Sequence, residues 1–183
     1  SKQAADRLVA EAVTRGLPAV FLHPSAVYGP IAAGSPGLNA LIADLAAGRL
    51  PALLPGAMPV VYAPDVGAGH VLAETRPIGA RYILSESTWT LRELAGEICA
   101  AAGGRRVPRV VPTWAAHALA TAGELIARVI RRPPLIPRGQ LHFLESGAYP
   151  SADRARADLG WTPTSFRDAL PATLAFVTRA HCR

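Results

Sequence analysis

The chain has 183 residues, of which 50% are hydrophobic and 17% are charged, and its formal net charge is +6. This composition excludes a disordered protein and fits one well-packed core with at most a small appendage. The positive charge does not indicate a nucleic-acid-binding protein. The arginines are scattered, and no aromatic residues interleave with the two denser groups, at residues 105–109 and 128–132.

The sequence indicates neither a disulfide framework nor a membrane anchor. Cys99 and Cys182 are far apart and have no metal-ligand spacing. The nearest candidate for a membrane span, residues 114–130, is interrupted by polar side chains and predicts a long amphipathic helix instead. Because no signal-peptide pattern is present either, we expect a cytoplasmic protein without a membrane span.

The first predicted elements are a helix over residues 2–15 and a strand over residues 19–22. Apolar residues at helical spacing give the helix one apolar face, Gly16 ends it, and Pro18 prevents its continuation. The strand is wholly apolar, which is typical of a buried parallel strand. A helix followed by such a strand is half of a right-handed crossover unit, so we expect its first strand upstream of residue 1.

Helices and extended segments alternate along the rest of the chain. The sequence predicts helices over residues 38–47, 66–73, 91–102, 113–132, 152–159 and 166–180, and extended segments over residues 59–62, 81–84 and 107–111. Asp65 is the predicted N-cap of the second of these helices, and capping boxes begin at Thr90 and Ser165. The order predicts the α/β class with a helix-rich second half.

Lys2 is the first candidate for a functional residue, because it is the only lysine among 19 basic side chains. Where arginine supplies nearly every positive charge, a single lysine indicates a site that needs a compact ammonium group. A chance occurrence, or a residue left from cloning, remains the alternative. Other familiar motifs are missing: no Gly-x-Gly-x-x-Gly or Gly-x-Ser-x-Gly occurs, and the five histidines have no metal-ligand spacing.

An ordered series of short motifs follows Lys2. In sequence letters the series is SK at residues 1–2, HPSAVYGP at 23–30, VYAPDVGAGHVLA at 61–73, RYILS at 81–85, TLREL at 90–94 and ADLGWTP at 157–163. In this order and spacing, over essentially the whole chain, the series resembles the C-terminal portion of extended short-chain dehydrogenases/reductases. That family includes NAD-dependent epimerases and dehydratases, dihydroflavonol-reductase-like enzymes and 3β-hydroxysteroid-type dehydrogenases.

The resemblance implies roles for residues near the start of the chain. Lys2 matches the lysine of the family's Tyr-x-x-x-Lys motif, whose tyrosine would lie upstream of Ser1. A lysine ammonium stabilises the phenolate form of a nearby tyrosine, and it can also hydrogen-bond the ribose of the cofactor. The resemblance therefore makes Lys2 a catalytic and cofactor-binding residue.

The segment after the first strand is implied to lie against the nicotinamide ring of NAD or NADP, with Pro24, Ser25, Ala26 and Val27 as cofactor-binding residues. Ligands of α/β folds bind at the carboxyl ends of the strands, which agrees with this position. Tyr28 is a candidate substrate-binding residue, and a packed aromatic is the equal alternative.

Other motif residues have structural interpretations. Asp65 is interpreted as a helix N-cap and His70 as a packing residue, while Trp161 and Pro163 are expected to hold the tail against the body of the fold. Ala26 stands where nucleotide-sugar enzymes of the family commonly carry asparagine. Together with the apolar helix after residue 113, this favours a dihydroflavonol-reductase-like subgroup.

The resemblance implies a division of the chain into two parts. Residues 1–30 and about 76–86 would belong to the NAD(P)-binding Rossmann domain, and residues 31–75 and 87–183 would form the substrate-binding region. The implied function is hydride transfer between nicotinamide and a carbonyl or alcohol carbon of a small organic substrate. A nucleotide-sugar epimerase or dehydratase is the alternative within the family, and a non-catalytic NAD(P)-binding or regulatory relative is the alternative of another class.

The sequence also raises an expectation about activity and assembly. Because the glycine-rich phosphate loop and the motif's tyrosine do not occur in these 183 residues, we expect the chain by itself to be an inactive fragment. We expect a small-molecule substrate and no nucleic-acid partner, and the resemblance allows a homodimer.

Overall fold

The computed structural model describes residues 2–31, 37–130, 138–147 and 149–180. In chain order the elements are α1 (Lys2–Thr14), β1 (Phe21–Pro24), β2 (Ala26–Tyr28), α2 (Leu38–Ala47), β3 (Ala52–Leu53), β4 (Ala57–Tyr62), α3 (Ala63–Ala73), β5 (Arg81–Leu84), β6 (Ser87–Thr90), α4 (Leu91–Ala101), β7 (Arg109–Val110), α5 (Thr113–Ile130), α6 (Arg138–Glu145), α7 (Asp153–Leu159) and α8 (Phe166–Ala180). Among these helices, none has the length and apolar character needed to cross a membrane. Ser1, Cys182 and residues 131–132 of the predicted long helix lie outside the described residues.

The strands form three small groups that follow the predicted α/β order. β1 and β5 are parallel neighbours, with Phe21 opposite Arg81 and Pro24 opposite Leu84. β2 is parallel to β4, which pairs antiparallel with β6 on its other side. A two-residue parallel pair joins β3 to β7. The predicted class, with parallel strands followed by a helix-rich region, is confirmed.

Strand β4 connects the two main cores of the molecule. Successive side chains of a strand point to opposite faces, so Val60 packs with α2, α4 and α8 while Val61 packs with β5 and α7. Both valines are fully buried. The first core is the larger, and Phe166 at the start of α8 lies within it. The second core is closed by Trp161, which is 1% exposed.

Helix α4 begins at the predicted capping box. The Thr90 hydroxyl accepts a hydrogen bond from the Glu93 amide (3.2 Å), and the Glu93 carboxylate accepts one from the Thr90 amide (3.0 Å). The Thr90 hydroxyl also donates to the Glu93 carboxylate at 2.7 Å, and this hydrogen bond, followed by the one from the Thr90 amide, lowers the pKa of Glu93. At the start of α8, the Ser165 hydroxyl likewise accepts from the Asp168 amide (3.2 Å). The side-chain caps that the sequence predicted for these two helices are confirmed.

Two interpretations in the segment 62–73 are wrong. Asp65 is not the N-cap of α3, because the helix begins two residues earlier at Ala63 with Tyr62 as its N-cap. Pro64 lies in the first turn, where a missing amide proton costs nothing, and this permits the earlier start. His70 is not packed in a core: its side chain is exposed, and its Nδ1 lies 2.8 Å from the Val66 carbonyl oxygen.

Candidate functional site

Lys2 lies at the mouth of an open cavity between α1 and β1. The cavity has a volume of about 880 Å³, and its walls include Lys2 and Asp6 of α1, Leu22 and His23 of β1, and His70 of α3. β1 pairs with β5 along one edge, and no strand of the described residues pairs with its other edge. The cavity therefore lies where the open edge of a parallel sheet meets the start of a helix.

An ion pair holds α1 against the sheet beside this cavity. The Arg81 guanidinium donates hydrogen bonds to both carboxylate oxygens of Asp6, at 2.9 and 3.1 Å. Its carbon lies 3.9 Å from the centre of the Phe21 ring. The hydrogen bond from Arg81 lowers the pKa of Asp6. Loss of hydration opposes this effect more weakly, and the nearby charges of Arg81 and His23 add smaller contributions that lower the pKa. This contact fixes the position of α1, and with it that of Lys2.

Two serines lie at the carboxyl ends of β1 and β5. The Ser25 amide, directly after β1, donates to the Leu84 carbonyl oxygen at 3.0 Å, and Ser85 directly follows Leu84. The Oγ atoms of Ser25 and Ser85 are both buried and have no hydrogen-bond partner among the described residues. Buried hydroxyls without partners are unfavourable, so these two atoms fit a site that is completed by a polar ligand or by further polypeptide.

The remaining residues of the predicted segment form strand β2, which the sequence did not predict as a strand. Ala26 lies opposite Val60, and Val27 lies opposite Val61. Ala26 packs at the margin of the larger core and Val27 at the margin of the second one. Both side chains are partly exposed. The segment thus continues from the end of β1 across to β4.

Tyr28 is a fully buried residue of the larger core. Its ring lies 5.6 Å from the ring of Tyr62 and 5.0 Å from that of Phe166. Burial raises the pKa of Tyr28 well above its ordinary value, and the charges of Glu86 and Asp65 add to this effect. Its hydroxyl group is buried without a hydrogen-bond partner in the described part of the chain. The surroundings of Tyr28 therefore agree with the second of the two alternatives, a packed aromatic residue.

The chain turns sharply after Tyr28, and the residue that holds this turn was not predicted from the sequence. Asn39 accepts a hydrogen bond from the Gly29 amide (3.0 Å) and donates one to the Gly29 carbonyl oxygen (2.8 Å). Gly29 has a φ of 119°, and a Cβ atom there would clash with the ring of Tyr62. Only a residue ten positions away supplies this restraint, so no local pattern reveals it.

Asp65 and Trp161 attach the tail of the chain to helix α3. The Asp65 carboxylate accepts hydrogen bonds from the Thr164 amide (2.7 Å) and hydroxyl (3.0 Å). The Trp161 indole donates to the Asp65 carbonyl oxygen at 2.8 Å. The predicted role of Trp161 in holding the tail is confirmed. Because Asp65 is an internal anchor, its carboxylate is occupied by structural contacts.

Curated proteins that are similar to this chain include a sterol demethylase protein and a putative reductase. Over 92% of its length, the chain is 30% identical to sterol demethylase protein B of Methylococcus capsulatus, and it covers 52% of that protein. Over 93% of its length, it is 25% identical to a putative dihydroflavonol 4-reductase of Synechocystis, of which it covers 51%. The chain thus spans about half the length of these curated relatives.

The fold of this chain is also similar to the folds of solved epimerase structures. The chain matches a nucleoside-diphosphate-sugar epimerase of Pseudomonas aeruginosa at a TM-score of 0.78 and 25% identity, over 97% of this chain and 54% of that one. UDP-glucose 4-epimerases solved with NAD share the fold at 18–24% identity. No protein-family model matches the chain.

The parallel β1–β5 pair, the helix that carries Lys2 and these similarities define a Rossmann-type α/β protein. The chain belongs to the extended short-chain dehydrogenase/reductase family and corresponds to the C-terminal part of its members. The predicted resemblance is confirmed. The family is one of NAD(P)-dependent oxidoreductases and epimerases.

Proposed function

We propose that this chain forms the substrate-binding part and the last sheet strands of an NAD(P)-dependent oxidoreductase. The enzyme would transfer hydride between nicotinamide and a carbonyl or alcohol carbon of a small organic substrate. The observation that supports this best is the position of Lys2 at the cavity beside the open edge of β1. The orphaned hydroxyls of Ser25 and Ser85 lie at the carboxyl ends of the same two strands.

The residues present fit a dinucleotide cofactor, NAD or NADP, which supplies the hydride chemistry when it is bound. Lys2 would hold the ribose hydroxyls, and Pro24, Ser25, Ala26 and Val27 would lie along the nicotinamide. Ser85 would add a second hydroxyl beside Ser25. Each orphaned Oγ atom would then gain the hydrogen bond that it lacks among the described residues.

Lys2 would also set the protonation of a tyrosine supplied by the rest of the enzyme. A unit positive charge at about 4 Å from a phenol favours its ionised form by about 4 kcal/mol at an effective dielectric constant of about 20. The side chain is exposed at the cavity mouth, so it can approach such a partner without being desolvated first. Tyr28 does not fit that role, because it is buried in the core and its pKa is raised.

We propose the same division into domains that the resemblance implied. Residues 1–30 and about 76–86 supply the edge of the cofactor-binding sheet, which the parallel pairing of β1 with β5 supports. Residues 31–75 and 87–183 supply the substrate-binding region, and they contain most of the larger core. The open edge of β1 would receive the neighbouring strand of the cofactor domain.

A nucleotide-sugar epimerase is the second candidate, favoured by the similarity to solved epimerases. It would use the same lysine and the same strand ends, so only the identity of the substrate distinguishes the two candidate functions. Thermal-shift measurements with UDP- and dTDP-sugars, alongside neutral ketones, separate the two candidates: stabilisation by the sugars alone would favour the epimerase.

The proposed function is tested with a chimera in which this chain replaces the matching half of the Methylococcus relative. We expect the chimera to transfer deuterium from C4-deuterated nicotinamide cofactor to a ketone. The Lys2→Met variant should lose at least a hundredfold in rate, because the tyrosine loses its charged neighbour. Arg15→Met, in the turn directly after the same helix, is the matched control. Equal rates for Lys2→Met and the control would contradict the proposal.

A further inference from the structure

Helix α5 is held to the molecule along one side. Ala116 and Ala120 are fully buried, and both pack with Leu141 of α6. His117 lies on the neighbouring turn of the same side, with its Nε2 3.0 Å from the Glu145 carboxylate. These contacts fix the rotation of α5 about its axis, and they therefore determine which of its side chains face outward.

The outward side of α5 is apolar. An α-helix turns by about 100° per residue, and the side opposite the two buried alanines carries four exposed apolar residues within about 80° of one another: Trp114, Ala118, Ala122 and Leu125. Leu119, next to them, is also exposed. Trp114 is 75% exposed, Leu119 57% and Leu125 59%. We call these five residues the α5 patch.

An exposed patch of this kind indicates a contact with something outside the described elements. Helices that are apolar on opposite sides are usually covered on both, and contiguous apolar surface on a protein marks an interaction surface. Tryptophan and leucine are also the side chains with which interfacial helices enter the boundary between lipid headgroups and acyl chains. The composition of the patch is therefore compatible with a lipid surface.

The segment around the α5 patch carries the whole net charge of the chain. Between Glu97 and Glu145, residues 98–144 contain seven arginines and one acidic residue, Glu124, which gives this segment a net charge of +6. The rest of the chain has 12 basic and 12 acidic residues, so it is neutral as a group. Positive charge is thus concentrated where the exposed apolar surface lies.

Three of these arginines come shortly before α5. Arg105, Arg106 and Arg109 are exposed, and none of them takes part in the ion pairs found among the described residues. Arg109 is five positions before Trp114, so their Cα atoms are within about 18 Å of each other. Positive side chains therefore lie near one end of the α5 patch.

An anionic lipid bilayer fits both properties of this surface. Its negative surface potential attracts arginine side chains, while tryptophan and leucine enter its apolar boundary. A second copy of the chain would bring together two surfaces that each carry +6, and their repulsion opposes such a contact. A nucleic acid would neutralise the arginines but would leave Leu119 and Leu125 without an apolar partner.

We propose that the α5 patch is a peripheral membrane-binding surface for bilayers that contain anionic lipids. Helix α5 lies in the plane of the interface, with Trp114 and Leu125 inserted and the arginines at the level of the lipid phosphates. The inference goes beyond the proposed reaction and does not depend on it, because neither Lys2 nor a cofactor takes part in this contact.

The test measures the partition of the purified 183-residue chain onto lipid vesicles by co-sedimentation. One set of vesicles is pure phosphatidylcholine, and the other contains about 30% phosphatidylglycerol, which is anionic. We expect at least tenfold stronger partition onto the anionic vesicles, because seven arginines favour them. Most of this difference should be lost at about 1 M salt, where charges are screened within about 3 Å.

The role of the apolar residues is tested by Leu125→Gln. This variant should weaken partition onto the anionic vesicles about fivefold or more, because the leucine side chain no longer enters the apolar boundary. Leu8→Gln is the matched control, since Leu8 on α1 is 65% exposed and Leu125 is 59% exposed. The control should change the partition by less than about twofold.

The insertion of Trp114 has a spectroscopic readout. Brominated phosphatidylcholine quenches the fluorescence of tryptophans that enter the bilayer. Trp161 is buried in the protein, whereas Trp114 is 75% exposed. We expect strong quenching of the unmodified chain in anionic vesicles and its loss in Trp114→Phe, which keeps an aromatic ring and still binds.

The role of the charges is tested by the double variant Arg106→Gln with Arg109→Gln. A basic side chain at an anionic surface strengthens binding about fivefold, so this variant should weaken the partition at least tenfold. Arg7→Gln with Arg15→Gln removes the same charge from α1 and the turn after it, where both arginines are exposed. This control should keep most of the binding.

Three results would overturn the inference. The first is partition that is absent or equal for the two kinds of vesicle. The second is partition that Leu8→Gln weakens as much as Leu125→Gln, or quenching that persists in Trp114→Phe. The third is a dimer of the chain that Leu125→Gln dissociates, without binding to vesicles, because a second copy would then cover the α5 patch.

Discussion

Helices α1 and α4 have similar lengths and similar one-sided apolar patterns, yet they are packed very differently. The 11-residue α4 buries five side chains in the larger core. The 13-residue α1 buries none, and Leu8 on its apolar face is 65% exposed. An apolar face shows that a helix needs a partner. It does not show that the partner lies within the same 183 residues.

Two strands of the molecule, β4 and β1, show the same contrast. β4 is paired on both edges, by β2 and β6, whereas β1 has a neighbour only on the β5 side in the described part of the chain. Unpaired strand edges of this kind tend to acquire another strand. The α1–β1 region, which also carries Lys2, therefore presents both an exposed apolar helix face and an open strand edge to a partner.

Truncation of Phe166 should have the largest effect, because its ring lies inside the complete core. It is fully buried and in contact with the rings of Tyr28 and Trp89. We expect Phe166→Ala to lower the free energy of unfolding by about 3–5 kcal/mol. Leu8→Ala on α1 should change it by about 0.5 kcal/mol or less. Urea denaturation measures both, and equal losses would mean that α1 is packed as tightly as the core.

Asp65→Ala should have the next largest effect, because it releases the tail from α3. Two hydrogen bonds from Thr164 end on this carboxylate, and hydrogen bonds to charged groups contribute about 1.5–3 kcal/mol. We expect a loss of about 2–3 kcal/mol in the same urea experiment. Thr164→Val, which keeps the amide donor, should cost about half as much. A smaller loss for Asp65→Ala than for Thr164→Val would contradict the assigned contacts.

The regular elements that pack within the chain could be predicted from the sequence. Helix α2 and strand β5 have the predicted bounds, and the Thr90 capping box forms as expected. Each of these signals is local, because it depends on side chains a few residues apart. Strand β1 begins and ends two residues later than predicted, and strand β2 was not predicted. The short segment around Pro24 becomes extended because it pairs with β5 and β4, which lie far away in the sequence.

The candidate site was less predictable than the fold. Lys2 could be identified from the sequence because it is the only lysine of the chain and because it matches the lysine of the family motif. Ser85 and Asn39 could not: Ser85 is brought to the same sheet end as Ser25 only by the pairing of β1 with β5, and Asn39 acts through its hydrogen bonds to Gly29, ten positions away. Asp65 was misinterpreted for the same reason. Its carboxylate accepts hydrogen bonds from Thr164, 99 positions further along the chain, and it does not cap helix α3.

Asp6→Asn should loosen α1 while leaving α4 unchanged. We expect hydrogen–deuterium exchange of the α1 amides to become several-fold faster, because the contact with Arg81 loses its charge. Asp44→Asn, which removes the ion pair between Asp44 of α2 and Arg49 just after that helix, is the control.

The pH dependence of this effect follows from the lowered pKa of Asp6. The ion pair contributes fully above the ordinary value of 3.8 and is lost as the pH falls through the lowered pKa. Protection factors of the unmodified chain and of Asp6→Asn should therefore converge in strong acid. A difference that grows on acidification would mean that Asp6 does not act as the charged partner of Arg81.

Tyr28→Phe should have the smallest effect, although Tyr28 lies in the tightest part of the molecule. Its hydroxyl is buried without a hydrogen-bond partner in the described residues, so its removal relieves an unsatisfied polar group at little cost in packing. We expect the free energy of unfolding to stay within about 0.5 kcal/mol or to rise. A loss above about 1 kcal/mol would show that the hydroxyl has a partner. If Tyr28→Phe instead kept its stability but weakened ketone binding, the hydroxyl would contact the substrate, as the sequence-based prediction for Tyr28 allows.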